Sequence, residues 1–140
     1  MSQPRRVALE RHYRRTTYRL WAPGAVDVRI GRRAVRLDRL LRRYRRRSWL
    51  FITAYNPCSV PRAADANERA QRRLRQALRG LRAVVFRGAG VPDVAGWDAE
   101  PSWLALGVAM PAARRLARRY GQNAVVAGRL DGPARLVWCR

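Results

Sequence analysis

The stretch ITAYNPCSV, Ile52 to Val60, places a phenol, a carboxamide, a thiol and a hydroxyl side by side at Tyr55, Asn56, Cys58 and Ser59. Side chains of these types can read a ligand by hydrogen bonds while carrying no net charge. Two later segments offer the same chemistry: WDAEPS holds Glu100 and Ser102, and YGQNA holds Gln122 and Asn123. Of the acids Asp93, Asp98 and Glu100, all expected in loops, Glu100 is the residue expected to act as a general base or metal ligand if the chain is a hydrolase or nuclease. A competing reading needs no ligand. Asn56 before Pro57 is an ordinary turn former, and Gln122 and Asn123 after Gly121 can satisfy helix-end carbonyls.

The sequence excludes several other chemistries. It has no Ser-His-Asp set, P-loop or HExxH, and GAG at Gly88 to Gly90 lacks the spacing of a dinucleotide fingerprint. Cys58 and Cys139 stand apart from each other and from the single histidine, His12, which rules out a disulfide framework and a structural zinc site. Cys58 reads as a small loop filler sooner than as a nucleophile. No cofactor or metal is expected.

Charge is the dominant feature of the composition. There are 31 basic residues, all arginine, against 9 acidic ones, for a net charge of +22. A surplus of this size costs folding free energy by self-repulsion and favours polyanionic partners. Its distribution is uneven. Residues 1–47 hold sixteen Arg against Glu10, Asp27 and Asp38, while Gly88 to Ala113 hold none, and Ser48 to Pro61 carry no charge at all.

The elements that must position these residues follow from periodicity. Val7 to Tyr13 predicts a short helical turn, and TYRLWA and VDVRI predict a hairpin around Pro23 and Gly24. Leu37, Leu40, Leu41 and Tyr44 recur at helical spacing, leaving Arg39, Arg42, Arg43, Arg46 and Arg47 outside. Trp49 to Tyr55 reads as a strand buried on both faces, where an unpaired guanidinium would not be tolerated. Asp65 is expected to cap a helix through Leu81, with Ala70, Leu74, Ala77, Leu78 and Leu81 inward. Ala83 to Phe86 is a strand, Gly88 to Ser102 a long loop, and Trp103 to Ala109 a further buried strand. Pro111 opens a helix that Gly121 closes, and a hairpin around LDGP ends the chain.

The fold expected is α+β: a mostly antiparallel sheet with helices on one face and a split β-α-β, ferredoxin-like core over residues 49–140, preceded by a basic hairpin and arginine-rich helix over residues 1–48. The whole forms one domain. The longest apolar run is too short to cross a membrane, and the N-terminal arginines lead into no apolar signal region, so a cytoplasmic location is expected.

In order along the chain, YRRTTYRL, RIGRRAVRLDRLL, WLFITAYNPCS, the Asn67 region, WDAEPSWLALG and YGQNAVVAG resemble the bacterial domain-of-unknown-function family 3293. TAYNP and GQNA are the most specific blocks, and both are intact. Ala66 departs from the family pattern, which favours an acid directly before the asparagine. The resemblance implies a shared fold and no established activity. It adds Asn67 to the residues expected in a polar pocket, with Tyr55, Asn56, Ser59, Ser102, Gln122 and Asn123.

The function expected is polyanion binding, RNA before DNA. Arg42, Arg43, Arg45, Arg46 and Arg47, together with Arg72, Arg73, Arg75 and Arg79, would contact phosphates. The alternative is a small-ligand or hydrolytic domain whose pocket is built by TAYNP, WDAEPS and GQNA. Docking onto a nucleoprotein such as the ribosome is the remaining possibility.

Overall fold

The computed structural model describes residues 1–140. Its elements are α1 (Gln3–Arg14), β1 (Thr16–Trp21), β2 (Ala25–Val28), α2 (Val35–Arg43), β3 (Ser48–Ile52), α3 (Ala64–Gly80), β4 (Val84–Pro92), β5 (Glu100–Leu106), α4 (Met110–Arg119), β6 (Ala124–Arg129) and β7 (Arg135–Trp138). The strands form one seven-stranded sheet in the order β2-β1-β4-β5-β3-β6-β7, antiparallel throughout. Within it, β3-α3-β4-β5-α4-β6 makes the split β-α-β core, with strand order β4-β5-β3-β6. The fold is α+β, and no helix is long and apolar enough to cross a membrane.

The middle strand β3 shows why arginine stops at Ser48. Trp49, Leu50, Phe51 and Ile52 are all buried, and because strand side chains alternate they feed two cores. Leu50 and Ile52 join Ala70, Leu74 and Leu78 of α3 and Ala113, Leu116 and Ala117 of α4. Trp49 and Phe51 join Leu37, Leu40 and Leu41 of α2 on the opposite face. The two core helices thus share one face, and α2 covers the other. The sheet curls around α2 until Ile30, just past β2, bridges Ala134, just before β7.

Several local expectations are corrected. The N-terminal turn is a twelve-residue helix capped by Ser2; it buries no residue fully and so leaves no apolar stripe to read. The strand expected to reach Tyr55 ends at Ile52, because the Ala54 and Tyr55 N–H groups bond the Gln71 and Thr53 side chains instead of a neighbouring strand; Asn56, Cys58 and Ser59 beyond them adopt left-handed backbone with φ of 46, 58 and 61°. The cap of α3 is Ala63, which makes no side-chain bond; Asp65 lies in the first turn and pairs with Arg69 at 3.1 Å. Leu81 is 44% exposed because α3 ends one residue before it. Most of the expected loop Gly88 to Ser102 is strand. Its glycines allow close approach, since a Cβ on Gly88 would lie 2.8 Å from both the Phe51 ring and the Arg19 carbonyl oxygen.

Candidate functional site

TAYNP and GQN meet at one end of the sheet and clasp each other. Left-handed backbone at Gly121, φ 67°, lets its carbonyl accept from the Cys58 N–H at 2.7 Å, and any Cβ there would strike Pro57. Gln122 Nε2 donates to the Tyr55 carbonyl at 3.0 Å, and Asn123 Nδ2 donates to Ser59 Oγ at 3.0 Å. Asn67, buried in the first part of α3, completes the arrangement. Its Oδ1 accepts from the Asn56 N–H and from Arg62 Nε, both at 3.0 Å, and its Nδ2 donates to Asn56 Oδ1 at 2.8 Å. The structure therefore brings Tyr55, Asn56, Ser59, Asn67, Gln122 and Asn123 together, and each of the four carboxamides is hydrogen-bonded within the protein.

Glu100 lies at the rim of this clasp, at the start of β5. Asn56 Nδ2 donates to its Oε2 at 3.5 Å, and Ser102 Oγ donates to the Glu100 carbonyl at 3.1 Å. Burial pushes the Glu100 carboxyl up to about 7, with the Asn56 amide opposing the shift. Tyr13 of α1 is pushed up to about 12, by burial first and then by Glu100. Asp93, by contrast, is committed to structure: Arg29 holds it at 2.7 Å and keeps its carboxyl below the usual range, with Thr17 donating at 3.2 Å.

The nine arginines expected to touch phosphate fall into two groups on different parts of the fold. Arg42 and Arg43 end α2, and Arg45, Arg46 and Arg47 form the turn after it. Arg72, Arg73, Arg75 and Arg79 lie on α3, across the sheet. Three of the nine already have partners: Arg42 pairs with Asp131 at 2.6 Å, Arg46 donates to the Arg82 and Leu106 carbonyls, and Arg75 lies over the Trp103 ring at 5.4 Å.

A different arginine set converges. A hollow of about 540 Å³ between α3, α4 and the clasp is lined by Arg62, Arg73, Arg118, Arg119 and Arg140, with no Asp or Glu side chain in its wall. Arg118 Nε donates to the Cys139 carbonyl at 2.7 Å, and Arg140 reaches Cys58 Sγ. Arg62, Arg118, Arg119 and Arg140 escaped sequence reasoning because they are distant in the chain; the one available signal was Arg118–Arg119 directly before the GQN turn. Five guanidinium groups around one hollow repel each other, and an anion seated among them would relieve that repulsion.

A second cleft, of about 660 Å³, opens on the other side of α3 above β4 and β5. Trp21, Tyr55, Glu68, Gln71, Arg72, Arg87 and Trp103 are among its walls. Tyr55 and Ser102 of the expected pocket line it; Asn56, Asn67, Gln122 and Asn123 do not.

No curated protein and no solved structure matches the chain. One family model does, DUF3293, described as a protein of unknown function, and it matches residues 52–125. That segment runs from the last residue of β3 into β6 and takes in the clasp, α3, both clefts' central walls and Glu100. With more than half of its 140 residues matched, the chain belongs to the DUF3293 family.

Proposed function

We propose that the protein binds single-stranded RNA through phosphate contacts on the face made by α3 and α4. The observation that carries this reading is the hollow lined by five arginines and no Asp or Glu side chain. The outer positions of the same two helices extend it with Arg69, Arg72, Arg79, Arg114 and Arg115, of which Arg69 alone has a carboxylate partner. Phosphates along a strand supply the repeating negative charge that such a surface lacks.

Two features favour a flexible strand over a DNA duplex. Both helices are packed along their length onto the sheet, so neither projects as a probe for the major groove. A concave arginine-lined hollow suits a backbone that can bend into it. The sheet face on which RNA-binding split β-α-β domains stack bases is closed here by α2, which directs recognition to the helical side.

The hydrolytic alternative has one supporting observation, the Glu100 carboxyl pushed up to about 7. Neither the hollow nor the cleft is lined by Glu100, and burial explains its shift without catalysis.

Fluorescence anisotropy with a labelled single-stranded RNA tests the proposal. R73Q/R115Q/R119Q, on α3 and α4, should weaken binding by about tenfold or more at physiological salt. R39Q/R43Q/R47Q, on and after α2, removes the same charge and should weaken it far less. Equal losses from the two triples would reduce the interaction to net charge and overturn the assignment to this face. Tighter binding of duplex DNA than of the single strand would overturn the choice of RNA.

A further inference from the structure

We propose that the cleft above β4 and β5 is a nucleobase-binding subsite. The first observation is an unanswered donor. Gln71 is only 6% exposed, yet its Nε2 is buried without any partner in the protein. Its other groups are all engaged: Oε1 accepts from the Ala54 N–H at 2.9 Å, and its backbone carbonyl accepts from Trp103 Nε1 at 2.9 Å. The Ala54 bond fixes the orientation of the carboxamide, so Nε2 cannot exchange places with Oε1 to find a partner. Buried polar groups in folded proteins are almost always paired, which makes an unpaired one beside a cleft a sign of a missing acceptor.

The second observation is the wall around it. Trp21 is 47% exposed and offers a flat ring on one side, and Tyr55 and Trp103 add aromatic surface. Arg75 covers a face of Trp103 at 5.4 Å, but nothing in the protein stacks on Trp21. Glu68, Arg72 and Arg87 also line the cleft, and none of them is in a salt bridge. The site therefore presents one fixed donor, one free carboxylate, two free guanidinium groups and an open aromatic plane.

A nucleotide answers all four. Every nucleobase edge sets a hydrogen-bond acceptor beside an N–H donor; the acceptor receives a hydrogen bond from Gln71 Nε2, and the donor gives one to Glu68. The ring lies on Trp21, and the attached phosphate faces Arg72 and Arg87. The cleft, about 660 Å³, is of the size that holds small ligands. The choice of a nucleotide over another flat anion rests on the RNA reading above, and the two sites adjoin: Arg72 lines the cleft, and Arg73, the next residue of α3, lines the hollow. Tyr55 of the TAYNP turn lines the cleft and Pro57 the hollow, so that turn separates a place for a base from a place for its neighbour's phosphate.

Calorimetric titration of the full chain with uridine and adenosine monophosphates, with ribose 5-phosphate and with a twelve-residue RNA provides the test. The mononucleotides should bind and ribose 5-phosphate should not. Trp21→Ala and Glu68→Ala, both at exposed positions, should each weaken binding by about tenfold, the scale of one lost stacking or edge contact. Gln71→Met, which removes the other edge contact, should also weaken it by about tenfold, with a thermal melt confirming the fold. R73Q/R115Q/R119Q should leave mononucleotide binding unchanged while lowering RNA affinity. If only the RNA binds and Trp21→Ala still costs it tenfold, the occupant is a nucleotide within a strand. Binding of ribose 5-phosphate as tight as that of the nucleotides overturns the subsite, as does indifference of both mononucleotide and RNA to Trp21→Ala. RNA binding that survives Trp21→Ala and is lost in the arginine triple leaves the phosphate surface standing without a base pocket.

Discussion

At the clasp, the carboxamides of Asn56, Asn67, Gln122 and Asn123 all bond other parts of the chain. On the outer face of α3 and α4, Arg73, Arg115 and Arg119 have neither a carboxylate nor a hydrogen-bond acceptor in the protein, and Arg119 makes only a contact over the Tyr120 ring at 5.8 Å. Both regions are polar and both surround the same turn. The difference lies in what is left over after folding. A satisfied amide holds structure, whereas an unpartnered guanidinium or a buried unpartnered amide such as Gln71 Nε2 retains capacity for something else.

That contrast can be broken first at Asn67. Asn67→Leu removes the acceptor for the Asn56 N–H and for Arg62 Nε and leaves the former stranded, so urea unfolding should show a loss of about 4 kcal/mol. A loss below about 1 kcal/mol would mean that the clasp is ornamental to folding.

Glu100 is expected to act in the opposite sense. Its carboxyl titrates near 7 in the fold against an ordinary value of 4.5, so the folded state holds the proton more tightly than the unfolded chain. Its contribution to stability is therefore greatest below about pH 4.5 and declines as pH rises through about 7. Glu100→Gln should raise stability by up to about 3 kcal/mol at pH 8 and change it little at pH 4, read from thermal melts at the two values. Equal effects at both would place the titration elsewhere.

Gly88→Ala tests the packing behind the cleft. The added methyl meets the Phe51 ring and the Arg19 carbonyl oxygen at 2.8 Å, one side rigid backbone, and should cost about 1–3 kcal/mol. The smallest effect on folding belongs to the arginines: R73Q/R115Q/R119Q should stay within about 0.5 kcal/mol of the parent in the same urea experiment, since exposed side chains without partners contribute little.

Much of this architecture was legible from the order of residues. The spacing of Leu37, Leu40 and Leu41, of Ala70, Leu74 and Leu78, and of Ala113, Leu116 and Ala117 marked three helices, and the uncharged run from Ser48 marked the strand that both cores share. Periodicity tells which side of a helix is apolar but not which face of a sheet receives it, so the place of α2 opposite α3 and α4 could not be read. The strand residues from Gly88 to Pro92 looked like loop because glycine and proline are shared by turns and by tight strand crossings. The polar residues of TAYNP and GQN were recognisable as a group, yet whether they faced a ligand or each other depended on the left-handed Gly121 and Asn56 backbone. Gln71 gave no signal at all. A glutamine between arginines on an apparently cationic helix reads as surface, and only the contacts with Ala54 and Trp103 bury it.

The most direct test is the salt dependence of RNA binding. The logarithm of the association constant should fall linearly with the logarithm of salt concentration, and removing three phosphate contacts in R73Q/R115Q/R119Q should flatten the slope by about 2, at roughly 0.7 per contact for a single strand. A slope near zero for the parent chain, or one that the triple substitution leaves unchanged, would contradict phosphate recognition by α3 and α4.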